Sequence, residues 1–495
     1  MAFERLPNIP YRKHVQTVVL VVLWLLAWSP ALLVLSWIAE NRIRIPYHDS
    51  WAYIAQYQAW TEGDYGLKDL FQPHNGHPSV VGKLLYFAVL HGLGGDVSVL
   101  PFLPWAFSAV IAVSVLLLAR PLLVGKPCLG PGLMLLANLS IFTGAQGHTW
   151  VWDFVFQNFI PGACLAAALA LLRPSVVWSA WRGITAFALS VAAAFSFGSG
   201  FLVGPLLFPV LAFALPRPWS QRRKMTVLGM WGVGMVIVIW LALFATHSAT
   251  SMGPKEALLE DVTTRPLMAV SYILVLLGHT LGQGAVLEAV VLCMWAGGLL
   301  ALVLLGAGAL LAWRCRVSEG WRAAMPWIIC CAWAVGNAGI ICLVRMEALL
   351  ETALAPRYAT FMMFMVLGIV FLVATFWRHA SLRSLLPLSV SRLPIPAAGV
   401  ALLLAGHLSG WTAGFHSFQV YRSRMISEVA ATDFVRVLPI NREVQWDTDH
   451  GEVKGWLNFL SDQNRLKGVK FLPDTRLANL RQGAPLLEKF ASFEL

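Results

Sequence analysis

The segment TVVLVVLWLLAWSPALLVLSWIA, Thr17–Ala39, carries no charge along its whole length. About 20 apolar residues in a helix cross the hydrocarbon core of a bilayer, so these 23 residues are enough to span it. Arg5, Arg12 and Lys13 precede the run. It exceeds the 7–15-residue apolar core of a secretory signal, and no small-residue cleavage site follows, so it is expected to be a retained anchor.

Composition extends that reading to the whole chain. Hydrophobic residues make up 58% of the 495, charged residues 12%, and the mean hydropathy is +0.68. Soluble domains carry about 25% charged residues, so this is the composition of a polytopic membrane protein. The net charge of +11 then reports orientation before it reports a partner, and nucleic-acid binding is set aside. The seven cysteines lie mostly within apolar runs, without disulfide or zinc-ligand spacing. They are expected to be small core residues.

Further runs of spanning length are Leu100–Ala119, Pro131–Trp150, Phe154–Leu172, Met225–Thr246, Ala289–Trp313, Ala323–Val344, Ala359–Trp377 and Pro396–Phe415. The uncharged stretch Gly183–Pro216 is too long for one crossing, and Gly198-Ser199-Gly200 is its expected turn. The predicted fold is therefore all-α, with eleven transmembrane helices, or thirteen if Leu84–Gly95 and Pro266–Leu287 also cross. With eleven, the inner loops are almost purely basic, Glu4 and Glu319 being their only acids. The positive-inside rule favours that count. It puts the N-terminus in the cytoplasm and the C-terminus outside. The expected division is a membrane unit of residues 1–415, whose first outer loop is 40–83, and an outer tail of 416–495. The start of the tail, Val420–Leu438, has apolar residues at helical spacing suited to docking on the outer loops.

Chemistry-bearing groups gather on the outer face. Asp49, in Tyr47-His48-Asp49-Ser50-Trp51 just beyond the first span, suits a general base or a helix N-cap. His74 and His77 in Pro73-His74-Asn75-Gly76-His77-Pro78 could hydrogen-bond a ligand, or with His48 hold a divalent metal, a set still short of second-shell support. Arg345, Glu347, Glu351, Arg357 and Tyr358 lie between two late spans. There a guanidinium could clamp a phosphate, anchor at lipid headgroups, or pair with a glutamate. Lys83 has a similar choice between phosphate and snorkelling. Asp153 sits in an aromatic segment of the kind that anchors at interfaces, and Glu288 is an acid at the edge of a span.

This layout resembles the GT-C superfamily of integral-membrane glycosyltransferases, which includes the protein mannosyltransferases and the aminoarabinose transferases. Their first helix leads into a large outer loop with an essential acid near its start, the place Asp49 holds here. The segment His77-Pro78-Ser79-Val80-Val81-Gly82-Lys83-Leu84-Leu85 is similar to the family's His-Pro-Pro-Leu-Gly-Lys-Leu-type helix entry. A bacterial subgroup carries His-Asn-Glu-His-Arg in this loop and an Arg-Tyr pair before a late helix. Here these read His74-Asn75-Gly76-His77-Pro78 and Arg357-Tyr358, so the Glu and Arg of the first motif are missing. Ser50 stands where a second acid commonly follows the first.

The resemblance implies inverting transfer of a sugar from a polyprenyl-phosphate donor to an envelope glycan, lipid or protein. Asp49 would accept the acceptor's proton, and Arg357 with Arg345 or Lys83 would hold the donor phosphate. His74, His77, Tyr358 and Trp51 would orient substrate, and the protein would reside in the inner or plasma membrane. Rival readings are a transporter or flippase for a lipid-linked or anionic substrate, and a non-catalytic subunit of an envelope assembly.

Overall fold

A backbone inside lipid must satisfy its own N–H and C=O groups, and the α-helix does so within one segment. The computed structural model describes residues 10–42, 46, 49–125, 127–174, 176–247, 262–282, 289–314, 319–346, 349–378 and 395–435. His48, Glu288, Glu347, most of the expected outer loop 247–265 and the tail beyond Val435 lie outside them. The first helices are α1 (Pro10–Asn41), α2 (Ser50–Glu62), the single turn α3 (Leu67–Leu70), α4 (Val80–Gly92), α5 (Phe102–Leu123) and α6 (Leu129–Ile141). Next come α7 (Phe159–Leu171), α8 (Ala180–Ala194), α9 (Val203–Ala214), α10 (Gln221–His247) and α11 (Pro266–Gly282). The last are α12 (Ala289–Arg314), α13 (Glu319–Arg345), α14 (Ala359–Arg378) and α15 (Ile395–Val435). No β-strand occurs among the described residues.

Six of these helices, α1, α5, α10, α12, α13 and α14, are long and apolar enough to cross a bilayer. The chain is thus an all-α polytopic membrane protein. A helix that is apolar all round belongs in an interior, and α14 is that helix: 83% of its span is buried, against 22% for α1.

Not every apolar run is one straight helix. Pro131–Trp150 was expected to be continuous, but α6 stops at Ile141 and a 3₁₀ stretch follows over Gly144–Trp150. A second 3₁₀ segment, Val155–Asn158, then leads into α7. Irregular backbone at depth is tolerated where protein buries it, and Phe142, Thr143, Gln146, Thr149 and Trp150 are all buried. Three of its polar side chains are met locally. The Thr143 hydroxyl accepts from the Ala145 N–H at 3.2 Å, the Trp150 indole donates to the Thr143 carbonyl at 3.0 Å, and the Gln146 amide donates to the Ile141 carbonyl at 3.2 Å. The expected break in Gly183–Pro216 is present, as a turn between α8 and the 3₁₀ segment Gly200–Leu202 that opens α9.

The helix α15 is 41 residues long, about 62 Å at about 1.5 Å per residue, and runs unbroken through the expected tail boundary at 415/416. Gly406, Gly410 and Gly414 form a stripe that lets it lie directly on α11 and the Gly144–Trp150 stretch. A Cβ at Gly414 would fall on the Gly144 carbonyl, and one at Gly406 would press on Leu281. Close approach through small residues is how membrane helices gain packing when lipid is as apolar as leucine. Gly414→Ala is expected to destabilise by about 1–3 kcal/mol, the usual range for overpacking. Gly298→Ala, where a Cβ meets nothing within 4 Å, serves as control. A thermal midpoint for Gly414→Ala no lower than the control's would refute the close contact.

Beyond residue 415, α15 continues to pack on the rest of the fold. Phe418 and Tyr421 are buried, Phe418 edge-on to Trp37 at 4.9 Å and Tyr421 stacked on His148 at 4.7 Å. At the opposite end, Arg378 donates to the Val124 carbonyl at 2.7 Å, which joins two stretches expected on the inner face.

Candidate functional site

The sequence His74-Asn75-Gly76-His77 builds the first part of the site. Asn-Gly favours two successive residues in the left-handed region, as a two-residue primed hairpin turn requires. Asn75 has φ +49° and Gly76 φ +74°. The His74 N–H donates to the His77 carbonyl at 3.0 Å, and the His77 N–H donates back to the His74 carbonyl at 2.8 Å. Two histidines are thus held side by side at the mouth of a tight turn.

Asp49 meets this turn. Its backbone occupies the N-cap of α2, and its carbonyl accepts the first helical bond, from the Ala52 N–H at 3.2 Å. Its side chain makes no capping hydrogen bond. The Asn75 amide instead donates to one carboxylate oxygen at 3.3 Å, while His74 Nε2 stands 3.8 Å from the other. Asp49 is 39% exposed and His74 14%. Behind the His74 ring lie Tyr53 and Phe154, with centroids at 5.4 and 5.0 Å.

The His77 ring packs into the α8–α9 turn. It lies 4.4 Å from Phe197, and a Cβ at Gly198 would fall on its Nδ1. Phe197 stacks in turn on Phe361 at 5.8 Å, one helical turn beyond Arg357. The Val81 N–H, an orphan donor of the first turn of α4, is satisfied by the Phe195 carbonyl at 3.0 Å. Burial pushes His77 down to about 4, with the charges of His74, Arg345 and Arg357 adding to the shift. The charges of the two guanidinium groups expected to bind phosphate thus reach the second histidine of the turn that Asp49 meets.

A histidine held neutral in the fold, with an ordinary value near 6.5, takes up a proton on unfolding between pH 6.5 and about 4. Stability is then fully present above 6.5 and falls as pH drops through that window, by on the order of 3 kcal/mol at its lower end. His77→Gln is expected to flatten this part of the unfolding profile. An identical acid limb in both proteins would mean that His77 is not the group responsible.

Arg345 ends α13, and Arg357 lies in the 3₁₀ turn Pro356–Tyr358, its guanidinium 5.2 Å from the Tyr358 ring centroid. The segment rests on α11. Tyr272 Oη lies 3.1 Å from Thr352 Oγ1, and the fully buried His279 ring faces the carbonyls of Leu354 and Ala355. It is also tied to the α6–α7 connection, where Thr360 Oγ1 donates to Gln146 Oε1 at 3.4 Å.

Three expected roles look different in the fold. Lys83 is fully buried. Its ammonium donates to the carbonyls of Asp69, Leu70 and Gln72 at 3.1, 3.4 and 2.7 Å, closing the C-terminal end of α3. Burial pushes it down to about 8, with Asp69 opposing. All three ammonium donors have partners, so in this arrangement Lys83 is a clip for the loop and not a phosphate ligand. Trp51 and Tyr358, expected to orient substrate, are buried in the core.

Among the described residues no three His, Cys, Asp or Glu side chains converge on one point, and His48 lies outside them. An open apolar cleft of about 410 Å³, lined by Trp60, Tyr65, Leu70, Leu84, Phe87 and His91 among others, contains none of the expected site residues.

Ser50 and Tyr86 donate hydrogen bonds to Asp153, and Tyr53 donates one to Gln157, next to this site. Ser50, Tyr86 and Gln157 bear no recognisable motif, and Asp153 looked like part of an aromatic belt. The Asn75-Gly76 dipeptide was the legible signal, because it specifies the turn that sets the two histidines. Comparisons with protein families, curated proteins and solved structures find no match for this chain.

Proposed function

We propose that the protein is a membrane glycosyltransferase that moves a sugar from a polyprenyl-phosphate donor to a cell-envelope acceptor at the outer face. One observation carries the reading. A carboxylate at a helix N-cap position leaves the cap unmade and turns to a histidine hairpin, whose second histidine packs through Phe197 on Phe361, four residues beyond Arg357. Transfer of a sugar from a phosphate needs a base on the acceptor hydroxyl and cations for the charge that develops on the leaving phosphate. Asp49 serves as the base, with His74 and Asn75 orienting its carboxylate. Arg357 and Arg345 hold the phosphate. His77, neutral at pH 7, separates these halves without adding a charge. The acceptor oxygen attacks the anomeric carbon as the bond to the phosphate breaks, and the released phosphate stays on its lipid.

The test is to assay purified protein in detergent or nanodiscs with a panel of polyprenyl-phosphate sugars and to follow consumption of the donor. Failure to turn over any donor would sink the reading and favour an envelope-assembly subunit. A second reading, a flippase for a lipid-linked substrate, is favoured by the interrupted α6–α7 and α8–α9 hairpins, since broken helices mark transport sites. Movement of a labelled lipid-linked sugar across proteoliposomes without chemical change would establish it instead.

A further inference from the structure

Beneath Asp49 lies a buried polar junction with no counterpart among the groups assigned above. Ser50, the first residue of α2, donates its hydroxyl to Asp153 Oδ1 at 2.6 Å. Tyr86 of α4 donates to the other oxygen, Oδ2, at 3.1 Å. Ser50 and Tyr86 are fully buried and Asp153 is nearly so. One turn along each element a second bond repeats the pairing, with Tyr53 Oη donating to Gln157 Oε1 at 3.1 Å. Gly82, one turn before Tyr86, leaves room for that amide, for a Cβ there would sit 3.0 Å from Gln157 Oε1.

These bonds serve a registration, not merely burial. Ser50 is covalently next to Asp49, and Tyr53 packs edge-on against His74 at 5.4 Å. Residues 153 and 157 thus grip α2 at two points one turn apart. The first point sets the residue beside the base, and the second sets the ring behind its histidine. A hydroxyl bond to a carboxylate at this length belongs to the strong, charge-assisted class, and in a buried network its loss is felt by every member. We propose that Asp153, acting through Ser50, is the positioning residue for Asp49, with Gln157 doing the same for His74 through Tyr53. The inference rests on the transferase reading for its kinetic consequence and on geometry alone for the grip.

The test uses the full-length protein and three variants, Ser50→Ala, Ser50→Thr and Asp153→Asn. Two readouts are needed, amide hydrogen exchange over residues 49–54 and steady-state sugar transfer. Ser50→Ala is expected to raise exchange at the start of α2 and to lower kcat about 10- to 100-fold, the scale set by an ångström of misplacement. The donor KM should be nearly unchanged. Ser50→Thr, which keeps the hydroxyl, should restore both values. The double variant Ser50→Ala/Asp153→Asn should be no slower than Asp153→Asn alone, because partners in one bond are not additive. Unchanged exchange in Ser50→Ala, or an equal loss in Ser50→Thr, overturns the grip. Raised exchange with unchanged kcat overturns the positioning of Asp49. Should the wild type transfer no sugar, the transferase reading falls, while the exchange data still decide the grip.

Discussion

Asp49→Asn is expected to lower kcat for sugar transfer by about 10²–10⁴, the range general-base catalysis contributes, with donor KM and thermal midpoint close to wild type. Stability should hold because the Asp49 side chain makes no cap bond to α2. The amide keeps the volume and can still face Asn75 and His74, but it cannot accept a proton. Asp49→Ala should be no slower than Asp49→Asn if the proton is what matters. A variant that turns over at the wild-type rate would remove Asp49 from the chemistry and leave its contacts with the hairpin as structure only. A variant that loses activity together with its thermal midpoint would assign the carboxylate to folding.

The second large effect is expected at Arg357. Removing one preorganised charge from a site where negative charge develops costs on the order of 10²–10³ in kcat, so Arg357→Ala should fall in that range and raise donor KM as well. Arg357→Lys should recover only part of the loss, since an ammonium cannot grip phosphate through a planar fork. A second readout needs no substrate. Burial is the main cause that holds His77 near 4 and the Arg357 charge is the smallest contributor, so its removal should raise that value only slightly. Ring resonances of His77 followed against pH would report the shift. A His77 titration unchanged in Arg357→Ala would contradict the proximity of the two groups and, with it, the shared site.

Much of this protein was legible from residue order. Runs such as Thr17–Ala39 and Ala359–Trp377 have one stable state in lipid, so length and charge were enough to locate their helices. The break at Gly198-Ser199-Gly200 could be read because 34 uncharged residues overshoot one crossing. Pro131–Trp150 was misread as continuous. Hydropathy averages over a buried 3₁₀ stretch as readily as over a helix, and the bonds of Thr143 and Trp150 that stabilise it are not periodic. The candidate acid and arginines were visible as charges beside apolar runs. Lys83 was misjudged because a lone lysine looks the same whether it meets a phosphate or three carbonyls of its own loop.

The sequence by itself determined an all-α membrane protein and the location of its helical runs, and it offered Asp49, the two histidines and Arg345–Tyr358 as candidates beside those runs. Hydrophobicity and local turn chemistry act over a few residues, so they can be read locally. Only the tertiary structure decided that Asp49 turns to His74, that His77 rests on the α8–α9 turn, and that Asp153 grips Ser50 from 103 residues away. Those are bonds between elements, and their partners come together only once the helices have packed.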